Sequence, residues 1–161
     1  MGCWGITALE SDNGLDAVRC VRYNLPADGQ LDLGEMLERL KKDRWNAPCD
    51  VKLGCAHTSP MALAEIVVKY LDGDPGSLDY DEEWAAEDNK FRSITSFTAS
   101  RASLRELRDY LADTLKYARI RAERQIKAGG WFDPKDWDGW QKHMEGLIHR
   151  LDGVLALEGS T

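Results

Sequence analysis

The side chains best suited to nucleophilic or metal chemistry are four cysteines and three histidines. Cys49, Cys55 and His57 fall in a C-x5-C-x-H pattern. Structural zinc sites space their first two cysteines by roughly two to four residues and add a second ligand pair. No such pair follows, so no zinc site is expected. Cys3, Cys20, Cys49 and Cys55 are expected as reduced, partly buried thiols, because 161 residues can build a core without staples. His143, Glu145 and His149 cluster near the C-terminus. Glu145 and His149 are four apart and share a helix face, which predicts a surface charge pair. A bundle metal site would need Glu-x-x-His, repeated on a second helix, but position 148 is Ile148. Counting Asp72 as the first residue of a calcium loop puts Asp74 third, Tyr80 ninth and Glu83 twelfth. The sixth position then holds Ser77 where such a loop needs glycine, and Gly76 at the fifth offers no oxygen. A turn after a helix ending at Gly73 is the simpler expectation. There is no G-x-S-x-G and no glycine-rich phosphate loop. No catalytic residue is assigned, and neither a metal nor a cofactor is expected.

Charge gives a second kind of candidate. The formal net charge is -7 and the pI about 5.0. That excludes a general nucleic-acid binder, whose affinity comes mostly from neutralising phosphates. No stretch approaches the ~20 apolar residues that span a bilayer, so no membrane partner is expected. Asp79, Asp81, Glu82 and Glu83, with Glu87 and Asp88 beyond, surround Trp84. Acidic runs are usually solvated surface. The other reading is a docking surface for a basic protein, with Trp84 as its anchor. The basic run Arg119, Arg121, Arg124 and Lys127 is offset by Glu123 and reads as a solvated helix face.

Periodicity supplies the elements that would position these groups. Ser11 or Asp12 can cap a helix carrying Leu15, Val18, Cys20, Val21 and Leu25, which stops before Pro26. Asp28 and Gly29 read as a turn. Asp32 can cap the next helix, with Leu33, Met36, Leu37 and Leu40 on one face. Ser59 and Pro60 start a third helix that ends at Gly73. Residues 49–59 are ambiguous, and residues 93–98 have strand propensity without a visible partner strand. Ser103 and Glu106 look like a capping box for a helix running to about Lys127. Asp133 and Pro134 start a last helix whose Trp137, Trp140, Met144, Leu147, Leu151 and Val154 line one face. The short link predicts that these two long helices form an antiparallel hairpin. The expected fold is a single, mainly α domain over residues 1–161, with about five or six helices.

The opening residues Gly2, Trp4 and Gly5, followed by Asp12, Leu15 and Asp16, resemble a bacterial family of small proteins catalogued as a domain of unknown function. Its members open G-x-W-G and continue through N-D-x-A-x-D into the first helix. Here Ser11 stands for the usual Asn, Gly14 for the Ala, Leu9 for a Phe and Thr7 for a Gly. The resemblance implies a bacterial, cytoplasmic protein and carries no chemistry. Read physically, Gly2, Trp4, Gly5, Asp12 and Asp16 form a structural motif in which Trp4 plugs the core and the acids favour a helix N-terminus.

The function expected from the sequence is non-enzymatic: a protein-binding module with a basic partner. One version is an immunity protein that neutralises a basic toxin. The alternatives are an enzyme whose carboxylate and histidine site is assembled from distant residues, or a helical bundle that binds a small ligand. The oligomeric state is not legible in the sequence.

Overall fold

The computed structural model describes residues 6–44, 46–48, 59–79, 90–124 and 135–159. Among them are the helices α1 (Asp12–Tyr23), α2 (Leu33–Lys42), α3 (Ser59–Leu71), α4 (Arg101–Glu123) and α5 (Trp137–Gly159). Two short strands accompany them, β1 (Gln30–Asp32) and β2 (Ser96–Thr98). The fold is mainly helical, as the periodicity predicts.

The helix starts follow from capping chemistry. Ser11 Oγ accepts the N–H of Gly14 at the start of α1. Asp32 Oδ2 accepts the N–H of Glu35 at the start of α2. Each satisfies a backbone donor that the first turn leaves without a partner. At the end of α3, Gly73 takes φ +70°. Its N–H reaches Tyr70 O, and that of Asp74 reaches Lys69 O. This is the left-handed termination that glycine accommodates best.

Two boundaries differ from expectation. The cap of α4 is Ser100, whose Oγ accepts the N–H of Ser103. Ser103 lies inside the helix, and Glu106 pairs with Lys41 of α2 instead of closing a box. The α5 helix begins at Trp137, with the Asp136 carbonyl accepting the Trp140 N–H. The expected start at Asp133 and Pro134, and the loop at Gly129 and Gly130, lie outside the described residues.

The strand propensity at 93–98 has a partner after all. β2 pairs in parallel with β1, in the register Gln30 with Ser96, Leu31 with Phe97 and Asp32 with Thr98. Each strand leads into a helix, β1 into α2 and β2 into α4. Residues Gln30–Asp32 carry only one buried apolar residue, Leu31. Three residues of alternation is too little signal to mark a strand.

The core is continuous. Leu33, Leu37 and Leu40 of α2, Leu63 and Ile66 of α3, Leu104, Leu107 and Leu111 of α4, and Trp140, Met144 and Leu151 of α5 are buried together. The apolar stripes therefore face inward, as their spacing requires. The α4–α5 pair is antiparallel: Arg101 Nη1 donates to Leu155 O, Arg108 to Asp152, and Arg119 to Gln141 and Glu145. Trp137 and Trp140 stack at 5.8 Å between ring centroids at the start of α5.

Candidate functional site

Asp79 was a candidate for the acidic docking surface, but its side chain has no exposure to solvent. Oδ1 accepts the Phe91 N–H at 2.8 Å, and Oδ2 accepts the Arg92 N–H at 3.2 Å and Nε–H at 3.1 Å. A buried carboxylate must be satisfied by donors or a cation, and Asp79 has both. It is therefore a clamp that ties residue 79 to residues 91 and 92, across the ends of segment 80–89. Tyr70 braces the same spot. Its hydroxyl donates to Phe91 O at 3.1 Å, and its ring stacks on Phe97 at 5.0 Å. Burial first, and then the Asp79 charge, hold the Tyr70 hydroxyl well above the usual tyrosine range. The other members of the acidic candidate, Asp81, Glu82, Glu83 and Trp84, lie outside the described residues.

A second polar centre joins the N-terminal segment to α3 and α5. Glu65 of α3 is buried among Ala62, Leu63, Ala64 and Ile66. Its Oε2 accepts the Ala8 N–H, and its Oε1 lies 2.8 Å from His143 Nε2. Ala8 opens a single 3₁₀ turn, Ala8–Glu10. There Glu10 accepts both the N–H and the hydroxyl of Thr7. Those bonds, the backbone one first, hold the Glu10 carboxyl below its ordinary range. Ser11 closes the knot by donating to Ala8 O at 2.8 Å. A Cβ on Gly14 would overlap that same carbonyl. Gly14 stands where the resembled family carries Ala, and in this chain the backbone at Ala8 leaves no room for one.

The remaining candidates separate. Glu145 is paired with Arg119 of α4, so the expected Glu145–His149 pair does not form; His149 is exposed. Arg119 consequently faces α5, while Arg124 is exposed. Asp72 pairs with Arg150 at 2.6 Å, and Asp74 approaches Lys69 at 3.7 Å. These pairings and the Gly73 turn take the first half of the calcium-loop pattern, and its second half lies outside the described residues. Among the described residues no group of three or more His, Cys, Asp or Glu is arranged to hold a metal. Cys20 donates to Asp43 Oδ2 at 3.6 Å. Burial, and then the Asp43 charge, push its thiol up to about 11, so it is protonated and a poor nucleophile at neutral pH. Cys3, Cys49, Cys55 and His57 lie outside the described residues, as do Gly2, Trp4 and Gly5. Asp12 is the first residue of α1; Asp16 is exposed, one turn further on.

Two of the depressions on the described surface lie against α2. A groove of about 750 Å³ lies between α2 and α4, with Asp32, Glu35, Glu38 and Glu106 on its walls together with Arg39 and Lys42. Lys41 bridges Glu38 and Glu106 beside it. A smaller one, about 300 Å³, lies between the end of α1 and α2. No described helix is long and apolar enough to cross a membrane.

Sequence reasoning missed Glu65. Its signal is a single carboxylate at the centre of the otherwise apolar run SPMALAEIVV, where burial demands a partner. No family model, curated protein or solved structure matches the chain. The resemblance at residues 2–16 rests on those residues alone.

Proposed function

We propose that the protein acts by binding a basic protein partner through the acidic segment that contains Asp81, Glu82, Glu83 and Trp84, without catalysing a reaction. One observation carries this reading. Segment 80–89 holds five carboxylates and no lysine or arginine, and Asp79 fixes the chain at both of its ends. The five carboxylates of this segment compare with a net charge of -7 for the whole chain. Concentrated charge of one sign steers an oppositely charged partner and raises its association rate. The specific form we favour is an immunity protein that neutralises a basic toxin in a bacterial cytoplasm.

The test is capture of partners from the host lysate by the tagged protein at low and at high salt, read by mass spectrometry. The reading predicts one stoichiometric basic partner that is released by salt, because exposed charges are screened beyond about 8–10 Å at physiological ionic strength. A partner that survives high salt unchanged, or the absence of one at either salt, contradicts it.

A second reading, an enzyme with a carboxylate–imidazole pair, is favoured by one observation. Glu65 is buried and holds His143, whose side chain is 24% exposed. A carboxylate that orients an imidazole is a common general-base arrangement. Against it, neither depression described above is lined by either residue.

A further inference from the structure

The smaller depression has the composition of a ligand site. Its floor is Val21, Leu31 and Met36, each 3% exposed, and half-buried Leu25 forms part of one wall. A volume of about 300 Å³ is at the lower end for small-molecule pockets, which combine apolar walls with a few placed polar groups. It has room for a branched aliphatic side chain.

The polar groups at its mouth are Glu35 and Arg39, both exposed, on successive turns of α2. Opposite charges four residues apart on a helix ordinarily pair. Here they stay open: among the described residues neither side chain has an ion-pair partner. The neighbouring Lys41 is by contrast fully engaged, by Glu38 and Glu106. Asn24 stands beside them. Its amide nitrogen donates to Cys20 O at 2.8 Å, which leaves its side-chain oxygen as an acceptor. The last turn of α1 also ends here, and a helix C-terminus carries partial negative charge. The mouth therefore offers one guanidinium for an anion, and one carboxylate with a helix end for a cation.

We propose that this depression binds a free α-amino acid with an apolar side chain of about leucine size. The carboxylate of the ligand pairs with Arg39, its ammonium with Glu35, and its side chain enters between Val21, Leu31 and Met36. The two charged groups are exposed to water and screened, so the expected dissociation constant is on the order of 1 mM. This inference is independent of the partner-binding reading.

The test is a chemical-shift titration of the full-length, ¹⁵N-labelled protein with L-leucine, N-acetyl-L-leucine and L-leucine amide. L-Leucine is expected to shift the Val21, Asn24, Leu31 and Met36 amides saturably. Blocking either end of the ligand should weaken binding about tenfold, the loss expected when one charged contact goes. Arg39→Gln should remove the discrimination against leucine amide, and Glu35→Gln that against N-acetyl-leucine, with the rest of the spectrum unchanged. Both sites are exposed, so the variants should fold. No saturable shift, equal binding of all three ligands, or shifts confined to other residues would overturn the proposal.

Discussion

Asp79 and Glu65 are both buried carboxylates, and they are satisfied in opposite ways. The donors to Asp79 lie 12 and 13 residues along the chain and include a guanidinium that stays charged at any relevant pH. The donors to Glu65 lie 57 and 78 residues away, and one of them is an imidazole. Asp79 closes a local loop. Glu65 holds three distant segments at one point: the N-terminal turn, α3 and α5. The first arrangement needs only that the ends of segment 80–89 meet, so it tolerates any sequence between them that does not disturb the clamp. The second exists only when the whole core is assembled.

The contrast can be broken at the Asp79 clamp. Asp79→Ala leaves two backbone donors and Arg92 without their acceptor, and should lower stability by about 3 kcal/mol in urea unfolding. A loss below about 0.5 kcal/mol would mean that the clamp does not hold. The N-terminal knot is tested next by Gly14→Ala. Its new methyl group meets the Ala8 carbonyl, so the turn must move, at a cost of about 2 kcal/mol. Unchanged stability would show that the knot adapts.

Glu65→Gln is milder, because the amide oxygen still accepts from Ala8 or His143 but carries no charge. A loss of about 1.5 kcal/mol is expected, and it should shrink in a His143→Ala background if the two side chains act as a unit. Full additivity would separate them. The smallest effect belongs to Glu10→Gln, about 0.5 kcal/mol, the low end of the range for helix caps. Its folded-state carboxyl titrates below its ordinary range. Its contribution is therefore complete above the unfolded value and is lost as pH falls through the folded one. The Glu10→Gln difference should vanish in acid; a difference that persists there would assign the effect to geometry alone.

Much of the helical frame was legible in the sequence, for physical reasons particular to each element. Ser11, Asp32 and Gly73 are short-range signals, because a cap or a left-handed turn depends on the residue itself and its neighbours. The stripes of α4 and α5 are legible because they are long. The β1–β2 pair was not, since three residues find their partners 66 positions away. The cap at Ser100 was missed because Ser103 with Glu106 matches the box pattern and Ser100 does not; in the fold Glu106 pairs with Lys41 of α2 instead. The candidate site was legible as charge and not as burial. Asp79 shares its residue type with Asp81, yet only three-dimensional neighbours make it a clamp. Glu65 fell outside the reading because a single Glu on a helix looks the same whether it is buried, open or paired.

The most direct measurement sets the two regions against each other in one capture experiment. Tagged wild type, the triple variant Asp81→Asn, Glu82→Gln, Glu83→Gln, and Glu65→Gln are compared for partner retained from the host lysate at low salt. Partner binding through the acidic segment predicts that the triple variant loses the partner while Glu65→Gln, still folded, keeps it. Retention by the triple variant together with loss by Glu65→Gln would contradict that account and place the working surface at the N-terminal knot.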